Sequence, residues 1–465
     1  MNTFIITKKW FLAAIIFLMA LLILKIILFL TAKPKITVDY VAEYNRTACP
    51  QDYDPNENAA PSYQKAFDMF IDMPSQFRWP LKNWPTDLNE SDQNTLSQWL
   101  ASNEQAFGYF REASQKPYYW LERRSERDST VAGIMVPELD LFCQLTKALL
   151  WEAKTKAIQG QFQQAFEDIL FCYNAGQHKC RSSLLLVEQL NGLNIKEETF
   201  KTTFVILSKS NIESTALEFF QDALQSELDN NDYIPDIQTE KYFLYDALQR
   251  TFIDNGKGTG RLAWRAGWYV SLLAELNKSD LQRKGNSLKQ RLHACFAGPT
   301  RNEVVGQIEK VFALSAKLMG KTPWQIKNEA HDFFNEIEGI NKNNWFLKLF
   351  CINPQNIFEL YNNTGMQAEA LVTVLATLRY RIDKGQFPET INELVSSRYL
   401  QTVPNDSYSN GSLIYRLMGD GFKLYSVGEN FKDDGGVVKL DIIYWPVQQQ
   451  RAGETCHGKL HPRRN

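Results

Sequence analysis

The chain has few histidines, no excess of charge of either sign and no paired-cysteine motif, and each lack removes a class of function. Lys and Arg number 51 against 53 Asp and Glu, for a formal net charge of -2. General nucleic-acid binding needs a concentrated basic face and is excluded on that balance. The seven cysteines (Cys49, Cys143, Cys172, Cys180, Cys295, Cys351 and Cys456) are scattered without a C-x-x-C. Neither a zinc ribbon nor a thioredoxin-like motif follows, and an odd count leaves at least one thiol unpaired within the chain. Neither H-E-x-x-H nor G-x-S-x-G occurs, and 5 histidines leave little room for histidine-based catalysis. Gly256, Gly258 and Gly260 in "NGKGTGRL" fit neither phosphate-binding glycine pattern and read as a loop. Cys172, His178 and Cys180 offer three possible metal ligands but no fourth at usable spacing, so they read as structural residues. The helical carboxylates Glu167 and Asp168 are expected on solvated faces. In the C-terminal tail, Cys456, His457 and His461 allow adventitious metal binding at most.

What the chain does have is a long apolar run, "WFLAAIIFLMALLILKIILFL", Trp10 to Leu30, with the single charge Lys25. About 20 apolar residues in a helix cross the hydrocarbon core. A signal peptide has a shorter apolar region and a small-x-small exit. Here the exit is Leu30-Thr31-Ala32, so an uncleaved anchor is expected. Lys8 and Lys9 precede the span and Lys33 and Lys35 follow it. The nine residues ahead of the span are expected in the cytoplasm. The bulk is expected outside, on the cytoplasmic (inner) membrane.

Residues 31–61 read as a linker and entry segment, dense in Asp, Asn and Pro, with little regular structure expected. Residues 62–365 read as a large extracytoplasmic helical domain. Leu141, Leu145, Ala148, Leu149 and Ala153 share one helical face, as do Phe162, Ala165, Phe166, Ile169 and Leu170 in the next helix. Gly160 is expected between the two, and Gly176 at the end of the second. This pair is similar to one tetratricopeptide unit; an ordinary helical hairpin is the alternative. The pattern changes near 365. Residues 366–446 read as a small α+β domain: an amphipathic helix ending at Gly385, a short helix, a hairpin about Gly419-Asp420-Gly421, and a third strand. Residues 447–465 are a polar tail. The fold class expected is mainly α: an N-terminal transmembrane helix, a helical bundle, and a short antiparallel sheet near the C-terminus.

The C-terminal segment carries a resemblance. Tyr380 and Arg381, Gly385 and Pro388, Leu394, Pro404 with Asp406, Tyr415, and Tyr425-Ser426-Val427-Gly428 look like a segment of uncharacterised single-pass membrane proteins of planctomycete type. "NENAAPSYQKAF" and "QRTFIDNGKGTGRL" are similar to other parts of such proteins. Ser426, Gly428, Gly435-Gly436 and Asp441-Ile442 with Trp445 also resemble the end of type II secretion major pseudopilins, where such a run surrounds calcium. The departures are Asn430 at an expected Asp ligand and Phe431 in place of a glycine.

Held against the EF-hand loop, the stretch from Asn430 fails, because Lys432 stands where an oxygen ligand is needed. A looser oxygen cage for Ca²⁺ from Asn430, Asp433, Asp434 and Asp441 stays open beside a plain solvated Asp-Gly turn. No catalytic residue stands out. Two functions remain: a non-enzymatic interaction or assembly protein of the cell envelope with an unknown envelope partner, or a membrane-tethered hydrolase whose site the sequence does not connect. A deep pocket with carboxylates or a Ser/His pair would favour the hydrolase. An apolar groove would favour the binding protein.

Overall fold

An uninterrupted apolar run without a helix breaker gives α1, Asn2–Thr31. The computed structural model describes residues 2–77, 84–126, 129–181, 185–230, 233–266, 288–329, 332–350 and 354–447. In α1 the side chains are described from Ile15, and residues 15–28 are exposed without a break, so no face of that stretch packs on the body. Among the described residues, no helix is long and apolar enough to cross a membrane. The polar tail 448–465 and Cys351 lie outside the described residues.

The entry segment is more ordered than its composition suggests. The Asp39 carboxylate accepts the Val41 and Ala42 N–H groups and starts α2, Tyr40–Ala48. Ser, Thr, Asp or Asn at that position satisfies amides that a helix start leaves unpaired. Further on, Asn58 is 5% exposed and exchanges two hydrogen bonds with the Trp120 backbone. Asp39 starts a helix and Asn58 bonds to the body's backbone, which is why a stretch that reads as linker is folded.

The larger of two main cores gathers α3 (Ala60–Met69), α4 (Glu90–Ser102), α5 (Glu104–Ser114), α6 (Glu138–Ile158), α7 (Phe162–Arg181), α8 (Leu186–Lys209) and α9 (Ser214–Asp229). Tyr63, Phe107, Phe110, Phe142, Trp151 and Phe166 are its large buried side chains. The α6–α7 connection turns at Gly160, whose φ of 76° is open to glycine at no steric cost. Leu145, Ala148, Leu149 and Ala153 are fully buried on the expected face, as are Ala165 and Phe166.

Gly176 does not end α7, which runs on to Arg181. It lies where α7 crosses α8 at closest approach, opposite Gly192. A Cβ on Gly192 would meet the Gly176 carbonyl oxygen at 2.5 Å and the Cys180 Sγ at 2.7 Å. A stop signal and a crossing point are the same residue in sequence. We expect Gly192→Ala to cost about 1–3 kcal/mol in denaturant unfolding, because the obstruction is backbone that cannot swing away. Gly306, in a later helix, has nothing within 4 Å of its hypothetical Cβ. Gly306→Ala should therefore stabilise by up to about 1 kcal/mol through helix propensity.

The second core joins α10 (Glu240–Thr251), α12 (Arg301–Met319), α14 (Phe333–Asn343) and α15 (Trp345–Phe350). Two short helices accompany them, α11 (Leu288–Phe296) and α13 (Pro323–Asn328). The glycine loop 256–260 caps α12: Gly260 and Gly258 carbonyls accept the Arg301 and Asn302 N–H groups at 2.8 and 3.0 Å.

A single long helix, α16 (Gln355–Lys384), links both cores. Its Ile357 and Phe358 are buried in the second, while Met366 through Tyr380 contribute to the first. Position 365, where the sequence pattern changes, thus falls inside a helix. Gly385 ends it with φ 76° and donates to the Arg381 carbonyl at 2.8 Å. The short α17 (Ile391–Ser396) follows, then an antiparallel sheet in the order β1 (Ile414–Met418), β2 (Gly421–Ser426), β3 (Ile442–Trp445). Phe422, Leu424 and Tyr444 of the sheet pack in the first core with the helices.

Candidate functional site

Asp406 organises the C-terminal unit. It is 2% exposed and its carboxylate accepts the Ser426 hydroxyl at 2.7 Å, the Val427 N–H at 3.1 Å and the Tyr408 N–H at 2.9 Å. Ser426 Oγ in turn accepts the Gly428 N–H, and Gly428 takes φ 67°. This pins the start of the loop from Gly428 to Asp441.

Within that loop the four residues expected to converge on a cation are spent otherwise. Asp433 accepts Arg416 at 2.7 Å, the Tyr425 hydroxyl at 2.8 Å and the Gly435 N–H at 2.9 Å. Burial pushes its carboxyl up, but these partners outweigh it and hold the group below its ordinary value. Asp441 accepts three backbone amides, from Gly436 at 2.7 Å, Val437 at 3.0 Å and Asp434 at 3.3 Å. Asn430 bonds the Asp434 side chain and the Lys432 N–H. Asp441 closes the turn as an acceptor of amides. Among the described residues no three His, Cys, Asp or Glu side chains are placed to hold a metal. The carboxylates face amide donors and a guanidinium and are not gathered into one cluster.

The loop instead forms one wall of a groove. Phe431 follows a turn closed by its N–H on the Gly428 carbonyl at 2.9 Å, and takes φ 61°, a rare conformation for a bulky residue. That conformation sets its ring edge-on to Tyr408, with 5.7 Å between centroids. The Lys327 ammonium sits 3.9 Å from the Phe431 centroid, an attraction of about 0.5–2 kcal/mol. The Trp324 N–H donates to the Ser407 carbonyl at 3.0 Å, tying α13 to the C-terminal unit. The Tyr408 hydroxyl reaches Asn363 of α16 at 3.3 Å.

Pro323, Ile326, Phe334 and Phe358 complete the apolar lining, and Lys327, Glu359 and Glu429 complete the groove. Its volume is about 250 Å³, below the usual range for small-molecule sites. Among the described residues, no serine, histidine or cysteine lines it. Sequence reasoning reaches Phe431 only as a departure from a glycine. The other walls come from segments far apart in the chain, and no spacing signals them.

The polar heart of the molecule lies elsewhere. Arg123, Lys179, Glu138 and Glu188 are all at most 9% exposed and form one ion network. Glu188 bonds Arg123, Lys179 at 2.7 Å and the Tyr44 hydroxyl at 3.4 Å. Lys179 also stands over the Tyr119 and Phe142 rings at 4.7 and 5.0 Å. Burial lowers the Lys179 pKa in spite of Glu188.

Asp168, expected on a solvated face, is 1% exposed and bonds Arg111 at 3.0 Å and Lys156 at 2.6 Å. Its partners sit on other helices, which turns a helix-surface carboxylate into an interior one. Glu167 is half-buried and accepts from Gln163.

Cys172 and Cys180 each point at a backbone carbonyl. His178 bonds the Tyr63 hydroxyl at 3.0 Å and the Lys116 carbonyl at 2.8 Å. Burial drives its pKa down to about 4, so the ring is neutral, donating to Lys116 and accepting from Tyr63. No family model, no curated protein and no solved structure matches this chain.

Proposed function

We propose that the chain is a single-pass membrane-anchored protein of the cell envelope, acting as a non-enzymatic interaction or assembly protein. The observation that carries the anchoring is α1, whose side chains from Ile15 to Leu28 are exposed without a break although nearly all are apolar. Water would oppose such a surface by roughly 25 cal/mol for each Å² left uncovered, and acyl chains cover it at no such cost. Together with the apolar residues from Trp10 onward, the run matches a bilayer's hydrocarbon thickness. The body docks at the far end of α1, through Phe29 and Leu30. The proposed orientation keeps Lys8 and Lys9 cytoplasmic and the body outside. The resemblance of the C-terminal segment to pseudopilin ends supports an assembly role in the envelope.

The groove favours binding over hydrolysis, being mostly apolar, small and, among the described residues, without a serine, cysteine or histidine. A membrane-tethered hydrolase is the competing reading, with Glu359 and Glu429 as its available carboxylates. Full-length protein solubilised from membranes tests both. An envelope partner should co-purify with wild type and be lost with Ile326→Asp, at a half-buried lining position, in protein whose melt is unchanged. Retention of that partner would contradict the groove's role. Turnover of ester, peptide or glycoside substrates that is abolished by Glu359→Gln or Glu429→Gln would establish the hydrolase.

A further inference from the structure

The last turn of α1 does not stand free. Phe29 stacks on Phe296 of α11 with 4.6 Å between ring centroids and an interplanar angle of 26°. It also meets Trp264 at 5.8 Å. Arg265 Nε donates to the Leu30 carbonyl at 3.0 Å. Behind these contacts a small core of Leu262, Ala263, Ala266 and Cys295 fixes the Trp264 turn and α11 to each other. Yet Phe296 is 61% exposed and Leu292 37%. A buried core thus holds an apolar face outward, beside the exit of the apolar helix.

We propose that Trp264, Leu292 and Phe296 seat the body on the bilayer, entering the boundary between headgroups and acyl chains beside the anchor. The inference rests on the anchored reading of α1 and adds a second, peripheral contact. Depth argues for lipid as the occupant. Phe29 lies one residue before the apolar run ends at Leu30, about 1.5 Å along the axis. A ring stacked at 4.6 Å from Phe29 lies within that distance of its depth. Each interfacial layer is about 5–8 Å thick, so Phe296 falls at or inside its edge. Trp and other amphipathic aromatics concentrate at this level. Arg265, Lys33 and Lys35 are exposed around the same exit, and anionic headgroups attract such cations by roughly 1 kcal/mol each near the surface.

The test is photolabelling of the full chain in nanodiscs of phosphatidylethanolamine and phosphatidylglycerol carrying a diazirine on the acyl chain, with sites read by mass spectrometry. Label is expected in residues 15–30 and also on Trp264 and the Leu292–Phe296 segment. The latter should exceed that on exposed Phe219 of α9 by about tenfold, as expected for side chains immersed in the interface. Phe296→Glu should cut the labelling of Trp264 and Leu292 severalfold and leave that of 15–30 and the melting temperature unchanged. Label confined to 15–30 overturns the seating face and leaves the anchor standing. An absence of label from both regions overturns the anchor and the seating face together. Cross-linking of the face to a second copy of the chain, or labelling indifferent to Phe296→Glu, also overturns it.

Discussion

Replacing Glu188 by alanine should destabilise the chain by about 3–5 kcal/mol, the usual consequence of leaving buried charge uncompensated. Glu188 is 1% exposed and is the shared partner of Arg123 and Lys179, themselves 5% and 0% exposed at the side chain. Its removal leaves the two buried cations to share Glu138 alone, which Arg123 contacts directly and Lys179 only at 3.9 Å. Glu188→Gln keeps the volume and should lose nearly as much, because the charge is what the cations lack. Glu43→Ala breaks the ion pair with Arg46, whose side chains are 38% and 74% exposed, and should leave stability unchanged. Chemical denaturation of the three variants beside wild type checks the contrast. A Glu188 variant as stable as the Glu43 variant would mean the network is not closed to solvent.

A second large effect should grow as pH rises from about 4.5 and be complete above about 7. Glu240 is 8% exposed and accepts the first amide of α8, Leu186 N–H, at 2.6 Å. Burial raises its pKa to about 7; the amide lowers it and nearby Glu188 raises it further. A carboxyl whose pKa is higher folded than unfolded stabilises fully below its unfolded value, near 4.5, and loses that contribution as pH rises through about 7. At pH ~8 ionisation should therefore cost about 3 kcal/mol, because each tenfold change in proton affinity is worth about 1.36 kcal/mol.

Glu240→Gln keeps an acceptor for Leu186 without ionising. It should match wild type near pH 4 and exceed it by about 3 kcal/mol near pH 8. His178 works in the opposite direction: its folded pKa of about 4 lies below the ordinary histidine value of 6.5, so stability falls as pH drops through that window. The difference between variant and wild type, rather than either curve alone, isolates Glu240. A difference independent of pH would show that folding does not raise the Glu240 pKa.

The parts of the fold legible in sequence are those written in local period. The apolar faces of α6, α7 and α16 repeat at helical spacing, and Gly385 stops α16 in the αL conformation that a helix-ending glycine favours. The hairpin is present, with Gly419 and Asp420 as its turn. The third strand is shorter than its apolar run, because Asp441 draws residues 436 and 437 into a turn around its carboxylate. What the sequence hides is long-range. Asp168 is a charged residue of the kind usually exposed, and Arg111 and Lys156, each from another helix, account for its burial. Gly176 shows the same gap, since its partner Gly192 is on the next helix. The groove joins Pro323, Phe358, Tyr408 and Phe431 across more than a hundred positions, and no motif encodes that meeting. The Asp-rich loop reads as a converging cage because its many carboxylates are visible in sequence and their amide, guanidinium and phenol partners are not.

The central claim is that α1 crosses the membrane once and leaves the body outside the cytoplasm. The most direct measurement is a reporter fused after Asn465 that is active only when exported, set against one active only in the cytoplasm. The account predicts activity from the exported reporter and none from the other. Activity from the cytoplasmic reporter alone would contradict it.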